Sequence, residues 1–114
     1  LLVATDDLRI YEVVRSFGGK VVMTSADCPS GSDRIAEAMR SNPEIQDAEI
    51  VINIQGDEPT IDPMTIEKVA AALENFPEAD VSTACIKISN SKDANNPSIV
   101  KCVMDLHGRA LYFS

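Results

Sequence analysis

Glu49-Ile50-Val51-Ile52-Asn53-Ile54-Gln55-Gly56-Asp57-Glu58-Pro59 is the stretch from which the fold of this chain can be read. Glu49 to Ile54 reads as a strand whose β-branched apolar run, from Ile50 on, is interrupted only by Asn53, the pattern of a strand covered on both faces, as in parallel sheets. It runs straight into Gln55-Gly56-Asp57-Glu58-Pro59, a polar turn. Asp62 then suits a helix N-cap with Pro63 at the first helical position, and Ile66, Val69, Ala70, Leu73 and Phe76 fall on one stripe at helical spacing. Buried strand, polar turn and amphipathic helix, in that order, make the unit from which α/β folds are assembled.

The same unit repeats outward. Upstream, Leu1 to Thr5 predicts a short strand and Thr5-Asp6-Asp7 a capped turn. Leu8 to Phe17 predicts a helix with Leu8, Tyr11, Val14 and Phe17 near helical spacing, stopped by Gly18-Gly19. Lys20 to Thr24 predicts a second strand and Ser25 to Ser32 a turn. A helix then starts near Ser32 with Ile35, Ala36 and Met39 inward, broken at Asn42-Pro43. Downstream, Val81 to Ile88 predicts a strand and Asn90 to Pro97 a polar loop. Ile99 to Met104 and Arg109 to Phe113 predict two strands joined across Asp105-Leu106-His107-Gly108. The expected fold class is α/β, a mostly parallel, doubly wound sheet with an antiparallel strand pair near the end.

Composition narrows the partners. The chain has 114 residues and a formal charge of −8, from 18 acidic and 10 basic side chains. That field repels nucleic-acid backbone and anionic membranes, so neither is an expected partner. It also repels a free nucleoside triphosphate, so any nucleotide site here requires a cation and basic groups close by. Cys28, Cys85 and Cys102 are an odd set with wide gaps, which reads as reduced thiols in the cytoplasm rather than a disulfide framework or zinc site. No stretch reads as a signal peptide or a membrane span. The apolar ends, Leu1-Leu2-Val3-Ala4 and Ala110-Leu111-Tyr112-Phe113, lead to the expectation of an internal piece of a longer chain.

In open α/β sheets ligands bind beyond the carboxyl ends of the strands. Three polar clusters fall there: Thr5-Asp6-Asp7, Cys28-Pro29-Ser30-Gly31-Ser32-Asp33-Arg34, and Gln55-Gly56-Asp57-Glu58-Pro59. Asp57 offers a hard oxygen donor beside a glycine that permits close approach, which suits Mg²⁺, an ion that takes one or two carboxylates and completes its shell with phosphate and water. On the residues alone an ordinary polar turn that stops the strand is the better explanation. Ser30 to Arg34 offers hydroxyls, free helix N–H groups and a guanidinium to a base, ribose or phosphate. Its alternative is a capped helix with a surface Asp33–Arg34 pair. His107 reads as a solvated turn residue, and no nucleophile–histidine arrangement can be built from it.

Taken in order, Val3-Ala4-Thr5-Asp6, Met23-Thr24-Ser25-Ala26-Asp27, Ser30-Gly31-Ser32-Asp33-Arg34, Val51-Ile52-Asn53-Ile54-Gln55-Gly56-Asp57-Glu58-Pro59 and Ala110-Leu111-Tyr112-Phe113-Ser114 resemble the 3-deoxy-manno-octulosonate (Kdo) cytidylyltransferases over essentially the whole chain. The resemblance implies a nucleotide-diphospho-sugar transferase fold, with residues 1–114 forming part of its nucleotide-binding domain. It implies a cytoplasmic, Mg²⁺-dependent homodimer that joins CMP from CTP to Kdo and releases pyrophosphate, a step towards lipopolysaccharide. Asp57 would be the metal ligand and catalytic residue, and Ser30, Gly31, Ser32, Asp33, Arg34 and Gln55 would bind the nucleotide. It further implies that a basic triphosphate-holding loop, a second metal ligand and the sugar-acid pocket belong to segments other than these 114 residues. The piece alone is therefore expected to be inactive. Competing readings are another sugar or sialic acid nucleotidyltransferase, and a non-catalytic nucleotide-binding module.

Overall fold

A computed structural model describes residues 1–114, which divide after Ile66 into two compact units, Leu1–Ile66 and Glu67–Ser114. The first is built on a βαβ unit. β1 (Val3–Thr5) and β2 (Val21–Met23) run parallel with Val3, Ala4 and Thr5 opposite Val21, Val22 and Met23. Between them α1 (Leu8–Ser16) packs on both strands. Its N-cap is Asp7, whose carboxylate accepts the Arg9 N–H at 2.8 Å, satisfying one of the helix's orphan donors. The Gly18-Gly19 stop has two distinct causes. Gly18 takes φ +80°, the left-handed conformation that ends a helix. Gly19 needs no unusual angle, but a Cβ there would lie 2.6 Å from Val14 Cγ1, so the chain can turn back over buried Val14 only without one.

α2 (Gly31–Ser41) packs on β1 and ends at Asn42, where the sequence places the break. Its helical face is centred on Ala38, the most buried apolar residue, with Ile35, Ala36 and Met39 half-buried around it. α3 (Pro63–Asn75) begins as expected: the Asp62 carboxylate accepts the Met64 N–H at 3.0 Å. Ile66, Val69, Ala70 and Leu73 are half-buried, while Phe76 lies past the helix end and is exposed.

In the second unit, Ser82 Oγ donates to the Val69 carbonyl at 2.6 Å, and α4 (Ser91–Asn95) is a short helix. The expected polar loop at Asn90 to Pro97 is thus corrected. Asn90 caps that helix by accepting the Asp93 N–H at 2.8 Å, a local exchange a polar composition does not forbid. β3 (Cys102–Met104) and β4 (Ala110–Phe113) form the expected antiparallel pair, with an irregularity between Val103 and Met104. The Asp105 carboxylate accepts from the His107 and Arg109 N–H groups at 2.8 and 2.9 Å, and Gly108 at φ +84° closes the turn. These N–H donors hold the Asp105 carboxyl below its ordinary range, the Arg109 amide having the larger effect.

The fold is mixed α/β, with one parallel and one antiparallel pair. Two expected strands differ. Glu49 to Ile54 and Val81 to Ile88 make no backbone–backbone hydrogen bond, and Val51, Ile52, Ile54, Val81, Ile86 and Ile88 are exposed. A strand is defined by its neighbours, and apolar β-branched composition makes a segment ready to pair without supplying the partner.

Candidate functional site

The carboxyl ends of β1 and β2 are tied by the Thr24 N–H, which donates to the Thr5 carbonyl at 2.9 Å. Both threonines are buried, 5% and 8% exposed, which makes this the firmest polar point of the first unit. Thr5 Oγ1 accepts the Asp7 N–H at 3.1 Å, setting up the cap of α1. Asp7 also takes a fork of hydrogen bonds from the Arg9 guanidinium, which with the Arg9 N–H holds its carboxyl at about 2.

α2 starts beside these ends. Ser30 is its N-cap, with Oγ accepting the Asp33 N–H at 3.2 Å and donating to the Asp33 carboxylate. Asp33 is thereby turned towards Ser30, and the Asp33–Arg34 surface pair is not formed. Arg34 reaches instead across the strand ends. Nη1 donates to Thr24 Oγ1 at 2.6 Å and to the Ser25 carbonyl at 3.2 Å, and Nη2 donates to Asp6 Oδ2 at 2.9 Å. Gln55 joins the group: a Cβ placed on Gly31 would lie 3.9 Å from Gln55 Nε2. Ser30, Gly31, Ser32, Asp33, Arg34 and Gln55, drawn from two sequence blocks, thus lie together.

Asp57 stands apart. Its turn is closed by the Glu58 N–H donating to the Gln55 carbonyl at 3.1 Å, and the Asp57 side chain is exposed, with no hydrogen bond or ion pair. No group of three His, Cys, Asp or Glu side chains is placed to hold a metal ion. What Asp57 has to offer a hard cation such as Mg²⁺ is one exposed carboxylate that no other side chain engages.

The sequence reading missed Glu37. Its carboxylate accepts the Ser25 N–H at 2.7 Å and the Cys28 thiol at 3.1 Å, binding the loop before α2 back onto that helix. The available signal was spacing: Arg34 and Glu37 are three apart, so both address the 25–28 loop from one face of α2. The thiol hydrogen bond holds Glu37 below its ordinary range and, with partial burial, pushes Cys28 up. Reaction requires the thiolate, so Cys28 is expected to be alkylated by iodoacetamide near pH 8 several-fold more slowly than exposed Cys85. Glu37→Gln removes the charge and should speed Cys28 alone, as read by peptide mass spectrometry. Equal rates at the two cysteines in the parent chain would refute the pairing.

A depression of about 380 Å³ lined in part by Tyr11, Arg15, Lys20 and Glu44 opens at the opposite, amino ends of β1 and β2. Its Lys20 and Glu44 are spent on each other at 3.4 Å, and in open α/β sheets ligands bind beyond the carboxyl ends of the strands, where Arg34 and Gln55 lie.

A βαβ unit with polar groups gathered beyond its strands is an α/β ligand-binding layout. The chain belongs to the cytidylyltransferase family, whose model matches residues 1–114. It is 55% identical over 114 residues to a 3-deoxy-manno-octulosonate cytidylyltransferase of Protochlamydia amoebophila, covering 100% of this chain and 44% of that protein. It is 47% identical over 115 residues to an 8-amino-3,8-dideoxy-manno-octulosonate cytidylyltransferase of Shewanella loihica, covering 100% and 46%. Its fold is similar, with a TM-score of 0.89 at 43% identity, to a CMP:2-keto-3-deoxy-manno-octonic acid synthetase complexed with CTP, over 99% of this chain and 45% of that one. The chain spans less than half the length of these relatives. No helix is long and apolar enough to cross a membrane.

Proposed function

We propose that the full-length protein transfers CMP from CTP to 3-deoxy-manno-octulosonate, and that these residues supply the nucleotide side of its site. The observation that carries this reading is the gathering of Ser30 to Arg34 and Gln55 at the carboxyl ends of β1 and β2, in a chain so similar to a synthetase complexed with CTP. In the reaction the anomeric hydroxyl oxygen of the sugar acid attacks the α-phosphorus. A phosphorus–oxygen bond forms there, the bond to the β-phosphate oxygen breaks, the hydroxyl proton is lost, and pyrophosphate leaves.

The chain's own residues have separable tasks. The Gly31 and Ser32 N–H groups, unbonded at the start of α2, can donate to nucleotide oxygens. Gln55 offers both a donor and an acceptor, so it can address a base edge that Arg34, a donor only, cannot satisfy alone. Asp57 would hold Mg²⁺, which when bound neutralises charge on the phosphoryl oxygens. The proposal includes a cytoplasmic homodimer, supported by three cysteines that make no disulfide and by the exposed apolar side chains of Leu111, Tyr112 and Phe113 on β4.

Pyrophosphate release by the full-length protein tests the reading, with CTP or UTP against Kdo, its 8-amino analogue and sialic acid. CTP and Kdo are expected to be required together. Preference for the 8-amino sugar or sialic acid would reassign the acceptor, preference for UTP the nucleotide, and CTP binding without release would make it a binding module.

A further inference from the structure

Asp6 has no part in capping α1, since Asp7 beside it performs that task, and its carboxylate is turned instead to Arg34, 28 residues away. Thr24 is almost fully buried, yet its hydroxyl accepts from the same guanidinium. Three segments that are distant in sequence, the end of β1, the end of β2 and the first turn of α2, therefore meet at one side chain. A guanidinium carries five N–H donors, and three are engaged by Thr24, Ser25 and Asp6, leaving Nε–H and one Nη2 hydrogen. With its side chain 21% exposed and held from two sides, Arg34 cannot sweep the solvent as a free surface arginine does.

We propose that Asp6 and Thr24 are positioning residues for the nucleotide: they fix the Arg34 guanidinium so that its two unused donors meet CTP without an ordering cost at binding. This rests on the reading of Arg34 as a nucleotide contact. Pre-organising a planar, bidentate donor raises affinity by cutting the entropy lost on binding, so its loss falls on nucleotide affinity and not on the chemical step.

The test uses the full-length protein and steady-state kinetics. Asp6→Ala and Thr24→Val are each expected to raise the KM for CTP by about tenfold, with kcat within about twofold and the KM for the sugar acid unmoved. Asp6→Asn keeps an oxygen acceptor and should recover part of the lost affinity. Asp6→Ala combined with Arg34→Ala should bind CTP no worse than Arg34→Ala alone, because the positioning residue acts only through the arginine. If the Asp6→Ala melting curve shows it unfolded, Thr24→Val and Asp6→Asn carry the comparison. The proposal is overturned if kcat falls while the KM for CTP stays, or if the Asp6 and Arg34 losses multiply. An enzyme that uses CTP normally with Asp6→Ala defeats the positioning role alone. A parent protein that neither binds nor turns over CTP defeats the functional reading and this inference with it.

Discussion

Asp57→Asn in the full-length protein is expected to lower kcat by about 10² to 10³, the loss that follows removal of about 3 to 4 kcal/mol of electrostatic stabilisation from a phosphoryl-transfer site. The amide keeps the shape of the carboxylate but not the charge that a divalent cation needs. Stability should hardly change, because Asp57 is exposed and makes no hydrogen bond or ion pair. Discrimination between CTP and UTP should also stay, since a metal and its carboxylate are blind to the base. Mg²⁺ titration is the direct check: the half-saturating concentration should rise steeply in the variant. A variant with near-normal kcat and Mg²⁺ dependence would make Asp57 an ordinary strand-end turn residue.

The 114 residues expressed alone are expected to unfold without a sharp transition and to release no pyrophosphate from CTP and Kdo. Among apolar side chains only Val14 and Ala38 are buried, and no large side chain is fully buried. Each of these residues must still lose about 1 to 2 kcal/mol of backbone freedom to order, which so small a core does not offset. The relatives devote more than half their length to residues without a counterpart here. Thermal melts followed by circular dichroism should give a broad slope, and dye binding to exposed apolar surface should be high at low temperature. A single cooperative transition with release dependent on both substrates would refute the expectation.

Local features were legible where the chemistry is local. Asp62-Pro63 and Gly18-Gly19 set their helix ends through groups within a few residues, the helix expected near Ser32 starts at Gly31 under a Ser30 cap, and the hairpin across Asp105 to Gly108 follows from its turn. The runs at Glu49 to Ile54 and Val81 to Ile88 show the limit. Their composition states readiness to pair, while pairing depends on where another strand lies. At the site, nearness of Ser30 to Arg34 and Gln55 could be expected because strand ends converge in this fold class. The partner of Arg34 could not. Neighbouring Asp33 was the natural candidate, but Ser30 claims it as part of the cap and frees the guanidinium for Asp6. Glu37 escaped for a similar reason: its spacing from Arg34 puts it on the same face, but that spacing alone does not say that a thiol and an amide will converge on it.

The order in which the molecule assembles follows from the short reach of its two ladders. β1, α1 and β2 close within residues 3 to 23, and the hairpin within 101 to 114, so both need only brief loop closure and are expected to form early as the chain leaves the ribosome. Glu49 to Ile54 and Val81 to Ile88 have no such neighbour at hand and stay open for longer. Open, β-branched, nearly uncharged runs are the segments that pair between chains when many copies are made at once. Slower synthesis or lower temperature during expression should therefore raise the soluble yield, and a charge placed at Ile86, 93% exposed, should do so with little effect on either ladder.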